Sequence, residues 1–465
     1  MGWGYSLYEL GQHIEIAHYV HGSYCLSTKI LQKICRNSAY IFVKTDAIMG
    51  VDYMKLFLNH CMYYLRRKLT HLIRGLVLGR LIVGLTGAFG SGTTFLADNF
   101  FAKMGFTKYS LSEVLRAKYA EETGAPHASR HDLQEFGNKL RKDDSSILAK
   151  EVNNRYILKC NQDENIVVDS IRNPAEIKFF REKYPEFILV GVFADYEIRW
   201  ERVKDTYSGS KDRFDADEQK DKGTFEPQFG QRISDCFFES DLILSNNDSI
   251  SIEGENQSYR DMHAKISAYL NALKNPASSN PTLKETLMAA AYTSGRRSKC
   301  IKRKVGAVIA DKYDRIISSG FNGVPFGLQE CGPLLGKCYR DVKREDIGKK
   351  ISENLEIEDV NKAIGIVKKN VKLLELCRAL HGEESAILNL VGRGVDLADS
   401  TIYVTTYPCN LCANKIVQAG IKNVIYFEPY PVEEAKKIFR EANITSEPFE
   451  GVTFRAFFRF YQFEP

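Results

Sequence analysis

The sequence His381-Gly382-Glu383 is followed downstream by Pro408-Cys409-Asn410-Leu411-Cys412. The first stretch opens a segment with helical spacing over about residues 383–391, and the second stretch opens another helix. Residues 401–405, which lie between them, have the composition of a buried strand, and residues 423–427 form the next strand-like run. The order helix, strand, helix, strand predicts an α/β unit in which two helix N-termini converge.

The side chains at these two helix starts are those of a zinc site. Cys409 and Cys412 are three residues apart, so they share one helix face, and the positive end of the helix dipole stabilises thiolates there. Together with His381 they supply three zinc ligands, which leaves a fourth position open for a water of lowered pKa. Glu383 places a carboxylate beside the metal. The order and spacing resemble the zinc-deaminase signature H-x-E followed by P-C-x-x-C.

An alternative for Cys409 and Cys412 is a structural zinc ribbon or a redox pair, with His381 as an unrelated core histidine. A ribbon requires a second C-x-x-C pair, and the eleven cysteines contain only this one. A redox pair has no need of H-x-E. The sequence therefore favours the catalytic zinc site.

The residues upstream of these motifs resemble the dCMP deaminase family, and the resemblance extends over essentially all of residues 282–465. It implies a cytidine-deaminase-like α/β/α fold with a mixed five-stranded sheet, a Zn²⁺ cofactor and deoxycytidine nucleotides as substrates. The segments that carry it are Leu287–Tyr292, Ser298–Ile309 and Ile317–Pro325.

The resemblance also implies roles for residues that are not metal ligands. Asn322 is expected to contact the deoxyribose, and Val305 and Ala307 are expected to pack beside the base. Three basic residues are available for the phosphate, although a solvated loop explains each of them equally well: Arg297, Lys299 and Arg303.

Two features depart from the family pattern. The family usually has alanine where Gly382 stands, a change that removes a methyl group and no chemistry. A charge-dense helical insertion also lies between Cys338 and Cys377. These two cysteines and Cys331 are either ligands of a second, structural zinc or single buried thiols, and the second interpretation is favoured.

A phosphate-binding loop is predicted nearer the N-terminus. A strand-like run over residues 81–86 is followed by a glycine-rich turn that opens a helix, which is the context such a loop requires. Thr93 stands where the loop normally has lysine, which favours binding of ATP, GTP or a deoxynucleotide without phosphoryl transfer. A glycine-rich turn that only packs is the alternative. The predicted binding residues are Gly87, Gly90, Ser91, Gly92, Thr93 and Thr94.

The pattern downstream of this loop resembles deoxynucleotide and dephospho-coenzyme-A kinases. It implies a kinase-like domain with a parallel sheet over residues 80–274, a linker over 275–281 and the deaminase-like domain over 282–465. Residues 1–79 carry no motif and form an extension of unknown role. The segments that carry the resemblance are Arg130–Gly137, Asp169–Pro174 and Ser240–Asn246, with Arg199, Arg202 and Arg213.

Composition narrows the class of partner. A net charge of +5 over 465 residues is too small for a long nucleic-acid backbone as the main partner, so small phosphorylated ligands are expected. The same balance counts against the competing hypothesis of a deaminase that acts on tRNA or single-stranded DNA. Scattered cysteines indicate a reducing compartment, and no apolar run is long enough to span a membrane, so we expect a cytoplasmic protein.

The fusion of a kinase-like domain to a dCMP-deaminase-like domain resembles bacterial deoxycytidylate deaminases that protect cells from phage. This resemblance implies that dCMP and dCTP are both substrates, that the deoxycytidine nucleotide pool is depleted during infection, and that a small inhibitory RNA restrains the enzyme in some systems. We also expect a homo-oligomer. A housekeeping dCMP deaminase in dTTP synthesis, regulated by the P-loop domain, remains the alternative.

Overall fold

The hydrophobic run that precedes the glycine-rich loop forms a central strand in a computed structural model of the chain. The structure describes residues 80–125, 127–221, 230–354, 360–370, 373–429 and 433–462. The strands are β1 (Ile82–Thr86), β2 (Thr107–Ser110), β3 (Ile166–Asp169), β4 (Phe187–Phe193), β5 (Leu242–Ser245), β6 (Gly306–Ala310), β7 (Ile316–Phe321), β8 (Thr401–Thr406), β9 (Asn423–Glu428), β10 (Thr445–Pro448) and β11 (Gly451–Val452).

Helices connect and cover these strands. A π-helical turn over Ala97–Phe101 continues the first of them. They are α1 (Thr93–Leu96), α2 (Leu111–Thr123), α3 (Arg130–Asp143), α4 (Ile147–Arg155), α5 (Pro174–Lys183), α6 (Tyr196–Val203), α7 (Lys211–Asp221), α8 (Ile233–Phe238), α9 (Gln257–Lys274), α10 (Leu283–Arg296), α11 (Cys331–Leu335), α12 (Tyr339–Asn354), α13 (Val360–Asn370), α14 (Gly382–Leu388), α15 (Asn410–Gln418), α16 (Glu433–Glu441) and α17 (Phe457–Phe460).

The first lobe is built on a six-stranded sheet in the order β11-β5-β4-β1-β3-β2. Five neighbouring strands are parallel, as the alternation of helices and strands predicts. All five residues of β1 are buried, which is typical of a central parallel strand that is covered on both faces. The glycine-rich loop follows the carboxyl end of β1, where ligands of open α/β sheets bind.

The sixth strand of this sheet comes from the C-terminal end of the chain. β11 pairs antiparallel with β5, with Gly451 opposite Ile243 and Val452 opposite Leu242. Val452 and Phe460 belong to the hydrophobic core of the first lobe. The chain therefore returns from the second lobe to complete the sheet of the first.

The second lobe is built on a five-stranded sheet in the order β10-β9-β8-β6-β7. β8, β9 and β10 are parallel, whereas β6 is antiparallel to β7 and β8. This mixed sheet confirms the predicted fold of the deaminase-like region. The C-terminal ends of β8 and the N-termini of α14 and α15 lie on the side of the sheet that carries the site.

The two lobes share a hydrophobic core and belong to one compact unit. Phe237 and Ile243 of the first lobe pack in one cluster with Leu287, Met288 and Phe427 of the second. The domain limits at residues 274 and 282 remain predictions, and the predicted extension over residues 1–79 lies outside the described residues. None of the described helices is long and apolar enough to cross a membrane.

Candidate active site

Three predicted metal ligands converge between the N-termini of α14 and α15. His381 Nδ1 lies 3.4 Å from Cys409 Sγ and 3.3 Å from Cys412 Sγ, and the ligand atoms of all three residues lie within 4.8 Å of one another. Zinc bonds of ordinary length in a tetrahedral site place a nitrogen and a sulfur ligand about 3.6 Å apart. The donor set and its spacing therefore fit a zinc ion.

The backbone places these ligands at helix starts. His381 immediately precedes α14, and Cys409 immediately precedes α15. Glu384 ties the two helices together, because its carboxylate accepts a hydrogen bond from the backbone N–H of His381 at 3.3 Å and pairs with Lys415 at 3.2 Å. Sequence reasoning identified the ligands but missed this contact, since the charge pair crosses between two helices.

The two thiols are electrostatically linked. The hydrogen bond from the Cys412 thiol, assisted by His381, lowers the pKa of Cys409 to about 4. The same hydrogen bond, burial and the nearby charges of Glu383 and Cys409 raise the pKa of Cys412. Two thiolates at this separation repel each other unless a cation lies between them. A divalent metal removes that repulsion, so the electrostatics also fit a dication.

Glu383 lies beside the metal ligands on the first turn of α14. Its side chain is buried, with 4% of the residue exposed. Burial raises the pKa of this carboxyl, and the charge of His381 partly opposes the shift. A buried carboxyl in contact with a metal cluster can accept and return protons during a reaction.

The residues predicted to contact the substrate lie on the strand and loop next to Glu383. Asn322 Oδ1 accepts a hydrogen bond from the Val305 backbone N–H at 2.7 Å, and Asn322 Nδ2 donates one to the carbonyl of Arg303 at 2.8 Å. An amide has two further hydrogen-bonding positions, so a ligand contact is still possible. Val305 is half-buried, whereas Ala307 is fully buried in the core. Their substrate contacts stay predictions.

The basic residues suggested for the phosphate differ in their surroundings. Arg303 forms an ion pair with Glu428 at the end of β9, and the Arg297 guanidinium lies over the ring of Phe321. Lys299 is exposed and forms no ion pair with any described residue. Lys299 is therefore the most available cation of the three.

The cysteines around the insertion lie near one another without forming a tight cluster. Cys331, Cys338 and Cys377 line one small cavity together with Cys300. In the described part of the chain, however, only His381, Cys409 and Cys412 bring three ligand atoms within 4.8 Å. The insertion itself forms the packed helices α12 and α13.

The glycine-rich loop has the predicted conformation between β1 and α1. Gly90 and Gly92 have φ of 82° and 93°, a left-handed backbone that favours glycine. The side chain of Asn246, which follows β5, donates a hydrogen bond to the carbonyl of Ser91 at 2.8 Å. Of the predicted binding residues, Ser91 is buried and the others line a cavity: Gly87, Gly90, Gly92, Thr93 and Thr94. Arg116 and Arg141 also line it, and no sequence motif marked them.

Comparisons with known proteins agree with this geometry. Residues 281–428 match the family described as the cytidine and deoxycytidylate deaminase zinc-binding region, and residues 86–220 match a family described as an AAA domain. A deoxycytidylate deaminase of Schizosaccharomyces pombe is 27% identical over 58% of this chain and 72% of its own length. The enzyme of Enterobacteria phage T2 is 33% identical over 31% of this chain and 79% of its own length. Human deoxycytidylate deaminase is 32% identical over 37% of this chain and 78% of its own length. With its metal ligands, its mixed sheet and these relatives, the chain belongs to the deoxycytidylate deaminase family of enzymes.

Proposed function

We propose that this chain hydrolyses the exocyclic amine of cytosine in dCMP and dCTP, which yields dUMP or dUTP and ammonia. The observation that carries the proposal is the convergence of His381, Cys409 and Cys412 within 4.8 Å, beside the buried carboxyl of Glu383. A three-ligand zinc site with a neighbouring glutamate is the arrangement that cytosine deamination requires. The names of the relatives support dCMP as a substrate.

The proposed mechanism divides the work between the ligands and Glu383. His381, Cys409 and Cys412 hold the zinc ion, which when bound lowers the pKa of water so that it can attack C4 of cytosine. Glu383 accepts the proton of that water, protonates N3 and delivers a proton to the departing amine. Asn322 orients the sugar, and Val305 and Ala307 form the wall beside the base.

A Glu383→Gln variant tests the proton-transfer role. It keeps the shape of the side chain but cannot carry the proton, so dCMP turnover should fall at least about a hundredfold while zinc is retained. Glu384→Gln is the matched control, because it changes the neighbouring carboxylate, whose partners are Lys415 and the His381 backbone. Turnover of Glu383→Gln similar to that of the unmodified protein would refute the assignment.

The choice of substrate is tested by a panel of cytosine compounds. Purified protein is incubated with dCMP, dCTP, CMP, CTP and a short single-stranded DNA, and uracil products are separated by chromatography. The proposal predicts product from dCMP and dCTP and much slower reaction of the ribonucleotides. Preferential reaction of the DNA would favour the polynucleotide alternative instead.

The glycine-rich loop is proposed to bind a nucleotide that regulates the deaminase. Its conformation, the adjoining cavity and the match to an AAA domain support binding. Thr93 in place of lysine supports binding without phosphoryl transfer. Replacing Thr93 and Thr94 by bulky residues should change the response of the deaminase to added nucleotide, and an unchanged rate and response would remove the regulatory role.

The biological role that we propose is depletion of deoxycytidine nucleotides during phage infection. The fusion of a P-loop lobe to a deaminase lobe supports a regulated enzyme of this type, which acts as a homo-oligomer in the cytoplasm and is restrained by a small RNA. Cells with the unmodified gene should lose dCTP and survive infection, whereas cells with Glu383→Ala should not. Loss of dTTP in uninfected cells that lack the gene would favour the housekeeping role.

A further inference from the structure

The cavity beside the glycine-rich loop is strongly basic. Its volume is about 520 Å³, which is in the range of pockets that bind small molecules. Loop residues line one side of it. No carboxylate is among the described residues that line the cavity, whereas five guanidinium groups from four helices and one loop do so: Arg116, Arg130, Arg141, Arg172 and Arg202.

Two of these guanidinium groups are paired with carboxylates that lie outside the cavity. Arg130 pairs with Asp217 at 3.0 Å, and Arg141 pairs with Glu176 at 3.0 Å. Arg141 is 1% exposed, and its Nη1 has no hydrogen-bond partner in the described part of the chain. A buried N–H donor without a partner costs free energy, and a ligand oxygen in the cavity would satisfy it.

Two other arginines keep their charge uncompensated. Arg116 forms no ion pair with any residue that the structure describes. The guanidinium of Arg202 reaches only the backbone carbonyls of Gly90 and Asp248, at 3.5 and 3.4 Å. Burial lowers the pKa of Arg202, and no acidic group opposes this shift. An anionic ligand would stabilise both guanidinium groups.

The means by which phosphate-binding loops usually neutralise a nucleotide are missing from the lining of this cavity. Such loops use a lysine together with Mg²⁺, which a loop hydroxyl and an aspartate hold. Thr93 stands at the lysine position. Asp169, at the end of β3, has 0% exposure, and the hydroxyls of Ser110 and Ser170 donate hydrogen bonds to its Oδ1. Ser170, and not Asp169, lines the cavity.

We propose that this cavity binds a nucleoside polyphosphate without a divalent cation, with Arg116, Arg141 and Arg202 in the role that lysine and Mg²⁺ have in other phosphate-binding loops. The inference rests on the proposed nucleotide binding and specifies its chemistry. A nucleotide held by arginines alone lacks the metal that aligns its phosphates for transfer, so it stays bound as a signal.

Calorimetric titration of the full chain tests this inference. The probes are ATP, GTP and dTTP, none of which contains cytosine, in buffer with excess Mg²⁺ and in buffer from which Mg²⁺ has been omitted. We expect a Kd without Mg²⁺ that is equal to or lower than the Kd with Mg²⁺. Binding that weakens tenfold or more without Mg²⁺ would overturn the inference while leaving nucleotide binding intact. The absence of binding under both conditions would overturn the proposed nucleotide binding itself.

Variants of the two uncompensated arginines give a second test. Arg116→Ala and Arg202→Ala should each weaken Mg²⁺-free binding about tenfold, since each removes a charge-assisted contact to phosphate. Lys139→Ala is the matched control, because Lys139 lies on α3 with 73% of its side chain exposed, pairs with Glu122 and does not line the cavity. Its Kd should stay within about twofold of the unmodified protein. Unchanged binding in both arginine variants would contradict the inference.

Discussion

Gly306 lies where the first helix of the deaminase lobe crosses the first strand of its sheet. A Cβ atom at this position would lie 1.9 Å from the carbonyl oxygen of Ala291 and 2.5 Å from the amide nitrogen of Gly295. Both are backbone atoms that cannot rotate away. The adjacent Val305 carbonyl lies against Gly382, between the ligand His381 and Glu383. The packing of Gly306 therefore determines how closely the substrate wall approaches the catalytic helix.

A Gly306→Ala variant should lower the free energy of unfolding by about 3 kcal/mol or more, because the helix must move away from the strand to admit the methyl group. Urea denaturation followed by circular dichroism measures the change. Gly365→Ala is the control, since a Cβ at that position on α13 meets no atom within 4 Å. It should change stability by less than about 1 kcal/mol. Equal stability of the two variants would show that α10 is not fixed in this way.

At the scale of single residues, the sequence predicted the metal site better than the substrate site. His381, Cys409 and Cys412 could be identified because zinc chemistry restricts ligands to a few residue types at fixed spacing. The surroundings of Asn322 could not, since its partners Val305 and Arg303 are backbone groups that leave no pattern in the sequence. The burial of Ala307 depends in the same way on tertiary packing.

At the scale of elements, the C-terminal segment is held to helix α10 by one buried carboxylate. Glu285 has 0% exposure. Its Oε1 accepts a hydrogen bond from the backbone N–H of Val452 at 2.7 Å, and its Oε2 accepts one from the hydroxyl of Tyr461 at 2.9 Å. Thr282, at the start of α10, donates two more to Oε2. These bonds join the first helix of the second lobe to the strand that completes the first sheet.

A Glu285→Gln variant should lower the free energy of unfolding by about 2 to 4 kcal/mol, because its amide NH₂ cannot accept hydrogen bonds from the donors that face it. Thermal unfolding monitored by circular dichroism is the measurement. Glu447→Gln, which breaks only the exposed pair with Lys284, should cost less than about 1 kcal/mol. A Glu285→Gln protein as stable as this control would contradict the structural role of the carboxylate.

Local patterns predicted several elements almost to the residue. The strand expected over 401–405 spans Thr401–Thr406, and the one expected over 423–427 spans Asn423–Glu428. Buried strands of this kind have continuous apolar runs, which are visible in a sequence. β11 has only two residues, and its partner β5 lies far earlier in the chain. No local pattern could therefore predict that pairing.

At the scale of the whole molecule, the two lobes share structure as well as sequence. The core that joins them contains Phe237 and Ile243 from one lobe and Leu287 and Phe427 from the other. The C-terminal residues Val452 and Phe460 pack in the core of the first lobe. Binding at the basic cavity can reach the catalytic helix through these shared contacts, which is a physical basis for regulation of the deaminase by nucleotide.

The central claim is that one zinc ion, held by His381, Cys409 and Cys412, makes this chain a dCMP deaminase. The most direct test measures bound zinc and dUMP formation in the unmodified protein and in Cys412→Ser. A Cys236→Ser variant is the control, because Cys236 is a buried free thiol in the other lobe. The account predicts that Cys412→Ser loses one equivalent of zinc and all measurable turnover of dCMP, while Cys236→Ser keeps both. Full zinc content and undiminished dUMP formation in Cys412→Ser would contradict it.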